Sequence, residues 1–172
     1  MNVSRKLRLA ILLLVLTCTV GCDQVTKHAA RRHLGESRIV LLPGGFGELR
    51  LAENPGAFLS FGAALPPGLR VGVFTIGVGV GLMALAIYLV ARARWSRRTF
   101  FGLALVMAGG VSNLIDRITQ EGLVTDFITL RLGPLHTGVF NVADVLVMAG
   151  LGLLLFAHWK ARTSSRAGEI VK

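Results

Sequence analysis

The stretch LTCTVGCDQVTK, residues 16–27, admits two incompatible readings, and the choice between them decides the fold. Three positive charges (Arg5, Lys6, Arg8), an apolar run and then Thr19-Val20-Gly21-Cys22 have the pattern of a leader whose cysteine is lipidated and whose preceding residues are removed. In the other reading the segment is a permanent membrane helix. Asp23, Gln24 and Lys27 then end that helix at the interface, with Lys27 snorkelling to the surface.

Working outward, the 172 residues are 53% hydrophobic and only 16% charged, with a mean hydropathy of +0.65, which is the profile of a membrane resident and not of a soluble domain. Spanning a hydrocarbon core takes about 20 mostly apolar residues per helix. Four stretches approach that length, roughly 7–25, 69–91, 99–115 and 139–159, the third of them short. With the N-terminus inside, eleven Lys and Arg fall on the inner side: Arg5 to Arg8, Arg92 to Arg98 (Arg94 among them), and Lys160 to Lys172 (Arg166 among them). The other eight fall outside with eight of the nine acids, so the whole net charge of +10 lies on one face, as the positive-inside rule expects when both termini are cytoplasmic. A single integral membrane domain over residues 1–172 follows, with a cytoplasmic tail from residue 160 to 172. A lipid tether is redundant on a chain with three further spans, which disfavours the cleaved-leader reading. Nucleic acid is not an expected partner despite the charge, because the basic residues form short clusters between apolar runs and not a face. Cys18 and Cys22, four apart on one helix face, neither bridge each other nor form a metal-type spacing.

The outer loop, residues 28–68, carries alternating segments at 48–52 and 58–61 that read as short strands. Pro43-Gly44-Gly45 and Asn54-Pro55-Gly56 are the turns, and the expected product is a small sheet on the outer surface. The third span ends in Gly109-Gly110-Val111-Ser112-Asn113-Leu114-Ile115-Asp116-Arg117, where the glycines permit close helix contact and Asn113 shares a face with Asp116 and Arg117. Asp126 is flanked by apolar residues in a short outer segment. Asp144 enters the fourth span with Asn141 on its face and no basic neighbour in sequence, so it must point into the bundle. Two carboxyls brought together hold one proton between them: the ionised member takes a proton from water while the protonated one polarises a carbonyl. Asp116, Asp126 and Asp144 are all candidates for such a pair, and spacing alone does not choose two. His28, His33, His136 and His158 have no evident nucleophile partner.

Five segments in order, Asp23-Gln-Val-Thr-Lys27, Asn54-Pro-Gly-Ala-Phe58, Gly109 to Arg117, Val124-Thr-Asp-Phe-Ile128 and Phe140-Asn-Val-Ala-Asp144, resemble the motif boxes of lipoprotein signal peptidase, also called signal peptidase II. The resemblance covers residues 23–144. It implies an all-α membrane protein of four transmembrane helices with a small β-sheet cradle on the outer, periplasmic face, resident in the bacterial inner membrane with its active site near that face. The implied activity is an aspartic endopeptidase that cuts diacylglyceryl-modified prolipoproteins on the amino side of the lipidated cysteine, working as a monomer among membrane lipids. No metal or other cofactor is implied, and inhibition by globomycin is. Asp126 and Asp144 match the catalytic pair. Asn54, Gly56, Asn113, Arg117, Asn141 and Lys27 match residues lining or supporting the site, with Asp116 expected to partner Arg117 and Asp23 to be a surface residue supporting the loop. Ser112 stands where the family commonly has glycine and Gly110 where alanine is frequent, and both keep the position small. Thr125 stands where valine is usual, nearly isosteric. The rival reading is a transporter or scaffold whose polar residues are packing glue or an ion path. A path needs polar residues through the cytoplasmic halves of the second and fourth spans, and these are apolar apart from Tyr88.

Overall fold

The computed structural model describes residues 4–35, 38–92 and 95–170. Arg94 and Lys172 of the charge count lie outside them, as does the side chain of Arg166. Helix α1 (Arg5–Leu34) starts at Ser4, whose hydroxyl accepts from the Leu7 amide at 3.3 Å. It does not stop near Val25 as expected. Its 30 residues make a rod of about 45 Å, well beyond a hydrocarbon core of about 30 Å. The overrun is held because Ala30 and Leu34 bury against Phe127, Val40, Leu49 and Leu51 of the sheet.

Helix α2 (Pro67–Ala91) contains a π-helical segment at Val71–Gly77, and α3 (Arg97–Thr119) begins at Ser96, whose hydroxyl accepts from the Thr99 amide at 3.1 Å. Helix α4 (Val142–Ile170) runs straight through the segment expected to be a tail. All four helices are long and apolar enough to cross a membrane. Leu13, Leu14, Ile76, Val80 and Leu155 point outward for lipid, while Ala104 and Ala108 are fully buried. Small residues let α3 and α4 touch: a Cβ on Gly102 would stand 2.9 Å from Leu154 and 3.0 Å from the Gly150 carbonyl, and one on Gly109 would collide with the carbonyl of Ala143.

The sheet lies at one end of the bundle, antiparallel throughout, in the order β1 (Val40–Leu41), β2 (Gly47–Asn54), β3 (Val124–Leu132) and β4 (Leu135–His136). Half of its strands thus come from the connection between α3 and α4 and not from the long loop. The expected strand at residues 58–61 is instead a turn at Phe58–Ser60, with Leu59 and Ser60 at positive φ, a conformation no strand residue adopts. The register pairs Ala52 with Asp126 and Asn54 with Val124, which puts Asn54 and Asp126 on the same face as diagonal neighbours.

Candidate active site

Asp126 and Asp144 reach the site from different elements. Asp126 projects from β3 with 1% of its surface exposed. Asp144 sits three residues after Asn141, the residue that opens α4, and the two form a reciprocal cap. The Asp144 amide donates to Asn141 Oδ1 at 2.9 Å, and the Asn141 amide donates to Asp144 Oδ2 at 3.3 Å. With its oxygen committed to that cap, the Asn141 side chain turns its NH2 towards Asp126 Oδ1 at 2.6 Å and Asn113 Oδ1 at 3.1 Å. One residue therefore fixes the end of a helix and ties the two carboxyls into one web.

Two more amides complete it, each oriented by a donor on its oxygen. Asn54 accepts from the Gly56 amide at 2.8 Å, which leaves its NH2 to donate to Asp126 Oδ2 at 2.9 Å. Asn113 accepts from Lys27 Nζ at 2.8 Å and donates to Asp144 Oδ1 at 2.9 Å. Gly56 has no room for a side chain, since a Cβ would stand 2.5 Å from the Phe61 carbonyl, and its own carbonyl accepts from Arg117 Nη2 at 2.8 Å. Arg117 also donates to the Asn113 carbonyl at 3.4 Å.

The expected roles of Asp116 and Asp23 need correction, as does the interfacial placement of Lys27. Asp116 is not the ion-pair partner of Arg117: it pairs with Lys27 at 2.9 Å and accepts from Gln24 Nε2 at 2.9 Å and the Thr125 amide at 3.1 Å. Asp23 is no surface residue. It is fully buried, pairs with Lys27 at 2.7 Å, and accepts from Ser112 Oγ at 2.7 Å and the Ala143 amide at 2.8 Å. Lys27, which the interfacial reading sends to the surface, has no exposed surface at all. Removing a lysine from water costs several kcal/mol, and two carboxylates with an amide oxygen offset it. This triad joins α1 to the third and fourth helices beneath the site.

Gln24, Ser112 and Thr125 were not singled out as site residues. Thr125 is no silent isostere of valine, because its hydroxyl accepts from Arg31 at 2.6 Å and donates to Gln120 at 3.1 Å. Ser112 accepts from Gln24 at 3.0 Å besides serving Asp23. The signal for all three was present: each stands inside a quoted box.

Neither Asp126 nor Asp144 takes part in an ion pair among the described residues. Burial pushes the Asp126 carboxyl up to about 7 and the Asp144 charge adds to this, against hydrogen bonds from Asn54 and Asn141 and the positive charge of Lys27. Beside Asp144 lies an apolar cavity of about 210 Å³ walled by Phe58, Leu59, Phe140, Val145 and Met148. Among the described residues no three of His, Cys, Asp and Glu come together as a metal site.

Four membrane-length helices carrying two buried, amide-held carboxyls at one end define a polytopic membrane protein with a candidate acid pair. Residues 15–160 match the family described as Signal peptidase (SPase) II. A lipoprotein signal peptidase of Xanthomonas campestris pv. campestris is 34% identical over 92% of this chain and 94% of its own length. That of Syntrophotalea carbinolica is 33% identical over 87% and 91%, and that of Leifsonia xyli 35% over 86% and 66%. The fold is similar to a bacterial membrane enzyme solved by the in meso method, with a TM-score of 0.78 at 24% identity over 90% of this chain and 91% of that one. The chain belongs to the signal peptidase II family, and is a multi-pass membrane hydrolase of the aspartic peptidase class.

Proposed function

We propose that this chain removes the signal peptide from diacylglyceryl-modified prolipoproteins, cutting on the amino side of the lipidated cysteine, with Asp126 and Asp144 as the catalytic pair. The observation that carries the reading is the sorting of four buried aspartates. Asp23 and Asp116 share an ion pair with Lys27, whereas Asp126 and Asp144 are left with amide donors and each other. Two such neighbours do not both ionise readily, and with burial pushing Asp126 up to about 7 the pair keeps a shared proton up to about neutral pH; in this proposal Asp126 is the member that carries it.

In this mechanism the Asp144 carboxylate takes a proton from water as the water oxygen adds to the scissile carbonyl. Asp126 gives its proton to the carbonyl oxygen, which forms a neutral diol. As the diol collapses the carbon–nitrogen bond breaks, the leaving nitrogen takes the proton gained by Asp144, and a diol hydroxyl returns one to Asp126. Asn54, Asn113 and Asn141 hold the carboxyls, and the backbone around Gly56, clamped by Arg117, positions the peptide. The apolar cavity beside Asp144 suits the hydrophobic part of the substrate.

Positive-inside asymmetry supports an inner-membrane orientation with both termini cytoplasmic, which sets the sheet and the acid pair at the periplasmic face. The chain acts as a monomer, with no cofactor. The test is to incubate purified protein with a diacylglyceryl-modified prolipoprotein and detect the released signal peptide by mass spectrometry, with Asp126→Asn and Asp144→Asn alongside. Release by the native chain and by neither variant is expected. An active, correctly cleaving Asp144→Asn variant sinks the mechanism.

A further inference from the structure

At the end of the bundle away from the sheet, α3 and α4 part beyond their tight contact at Gly102 and Gly150. A cleft of about 900 Å³ opens between the first turn of α3 and the α4 segment from Leu154 to Ala161. Half-buried Leu154 and Ala157 provide apolar wall, while Arg97, Arg98, His158 and Lys160 stand exposed around it. Among the described residues no carboxylate lines the cleft, and no ion pair engages Arg97, Arg98 or Lys160. Like charges gathered on two facing helices repel one another, and an anion between them relieves that repulsion. Arg98 is set over the Phe156 ring at 5.4 Å, which leaves the edges of its guanidinium for acceptors.

The depth of the cleft identifies the kind of anion. Phe156 stacks obliquely on Trp159 at 6.1 Å, and Trp159 is 63% exposed where the apolar run of α4 gives way to Lys160, the placement of an aromatic that sits at headgroup level. Cations beside apolar wall at that level match an amphiphile with a charged head. We infer that the cleft binds the phosphate of an anionic phospholipid between Arg97, Arg98 and Lys160, with the glycerol and first acyl carbons against Leu154 and Ala157. The inference is independent of the peptidase reading. With both termini cytoplasmic, the lipid belongs to the inner leaflet.

The test uses the full chain in neutral detergent, titrated with phosphatidylglycerol, phosphatidylcholine or inorganic phosphate, and reads the lipid adduct by native mass spectrometry and the unfolding midpoint. Phosphatidylglycerol is expected to form a saturable one-to-one adduct and raise the midpoint, and the other two are not. Arg97→Gln with Arg98→Gln is expected to weaken the adduct roughly thirtyfold, about 2 kcal/mol at 1.4 kcal/mol per decade. His158→Gln with Lys160→Gln reads the same site from the opposite wall, by a smaller loss. Arg5→Gln with Lys6→Gln removes the same charge at the same end of the bundle and is expected to leave binding unchanged. An equal loss in that control means diffuse attraction and overturns the site. An equal midpoint rise with inorganic phosphate means a free-phosphate site, and equal binding of phosphatidylcholine means no charge selection; either result also overturns it.

Discussion

At Asp126 the acid strength of one carboxyl is set by burial, and pH reads it directly. Its folded value of about 7 stands above the ordinary 3.8, so between those values the native chain holds a proton that the unfolded chain has lost. The linked stability is therefore fullest below the unfolded value and is lost as pH rises through the folded one. Asparagine has no such titration, so the melting temperature of Asp126→Asn relative to the native chain is expected to rise between pH 4 and pH 8. Parallel melting curves across that range would contradict the assignment. Activity follows the same proton: cleavage is expected to decline above about pH 7, approaching tenfold per pH unit, as the pair loses its shared proton. A rate that stays flat to pH 9 counts against Asp126 as the acid. Thr125 carries a second expectation. Thr125→Val removes the hydroxyl that bridges half-buried Arg31 and Gln120 and is expected to cost about 0.5–1.5 kcal/mol in thermal unfolding, where an isostere would cost nothing.

Among the elements, α1 and the α3–α4 seam carry the site. Helix α1 does more than cross a membrane: Asp23 and Lys27 lock it to α3 and α4, and its last turns support the sheet that presents Asp126. Lys27→Met leaves two buried carboxylates without a cation and is expected to destabilise the fold by about 3–5 kcal/mol. It also removes one of the two donors, Lys27 and Asn141, that hold the Asn113 oxygen and so aim its NH2 at Asp144. Denaturant unfolding in detergent checks the first, and a loss under about 1 kcal/mol would show that the triad is not a structural lock. At the seam, Gly109→Ala sets a methyl group against the Ala143 carbonyl, one residue from Asp144. The expected result is a fall in cleavage larger than the fall in stability explains, because the first turn of α4 must shift and carry Asp144 with it. Gly110→Ala meets only the flexible end of Leu82 and is the matched control.

For the whole molecule, the prediction concerns orientation. Reporter domains fused after residue 172 are expected to be active only on the cytoplasmic side, and one inserted in the 28–68 loop only on the periplasmic side; the reverse would move the acid pair to the other face. The spans and the charge asymmetry were legible in the sequence because hydropathy and charge are local sums that need no partner, and the five boxes were legible as ordered short patterns. The overrun of α1 to Leu34 was not, since that helix end is decided by burial under a sheet whose β3 and β4 lie about a hundred residues downstream. Nor was the turn at Phe58–Ser60, where alternating residues look like a strand until the positive φ of Leu59 and Ser60 is seen. Composition left three aspartates open as catalytic candidates, and no spacing rule ranks them. Their sorting is tertiary: a carboxyl becomes a salt-bridge partner or a candidate proton carrier according to what lies within about 3 Å of it. Lys27, 89 residues before Asp116, reaches that one and leaves Asp126 and Asp144 to amides.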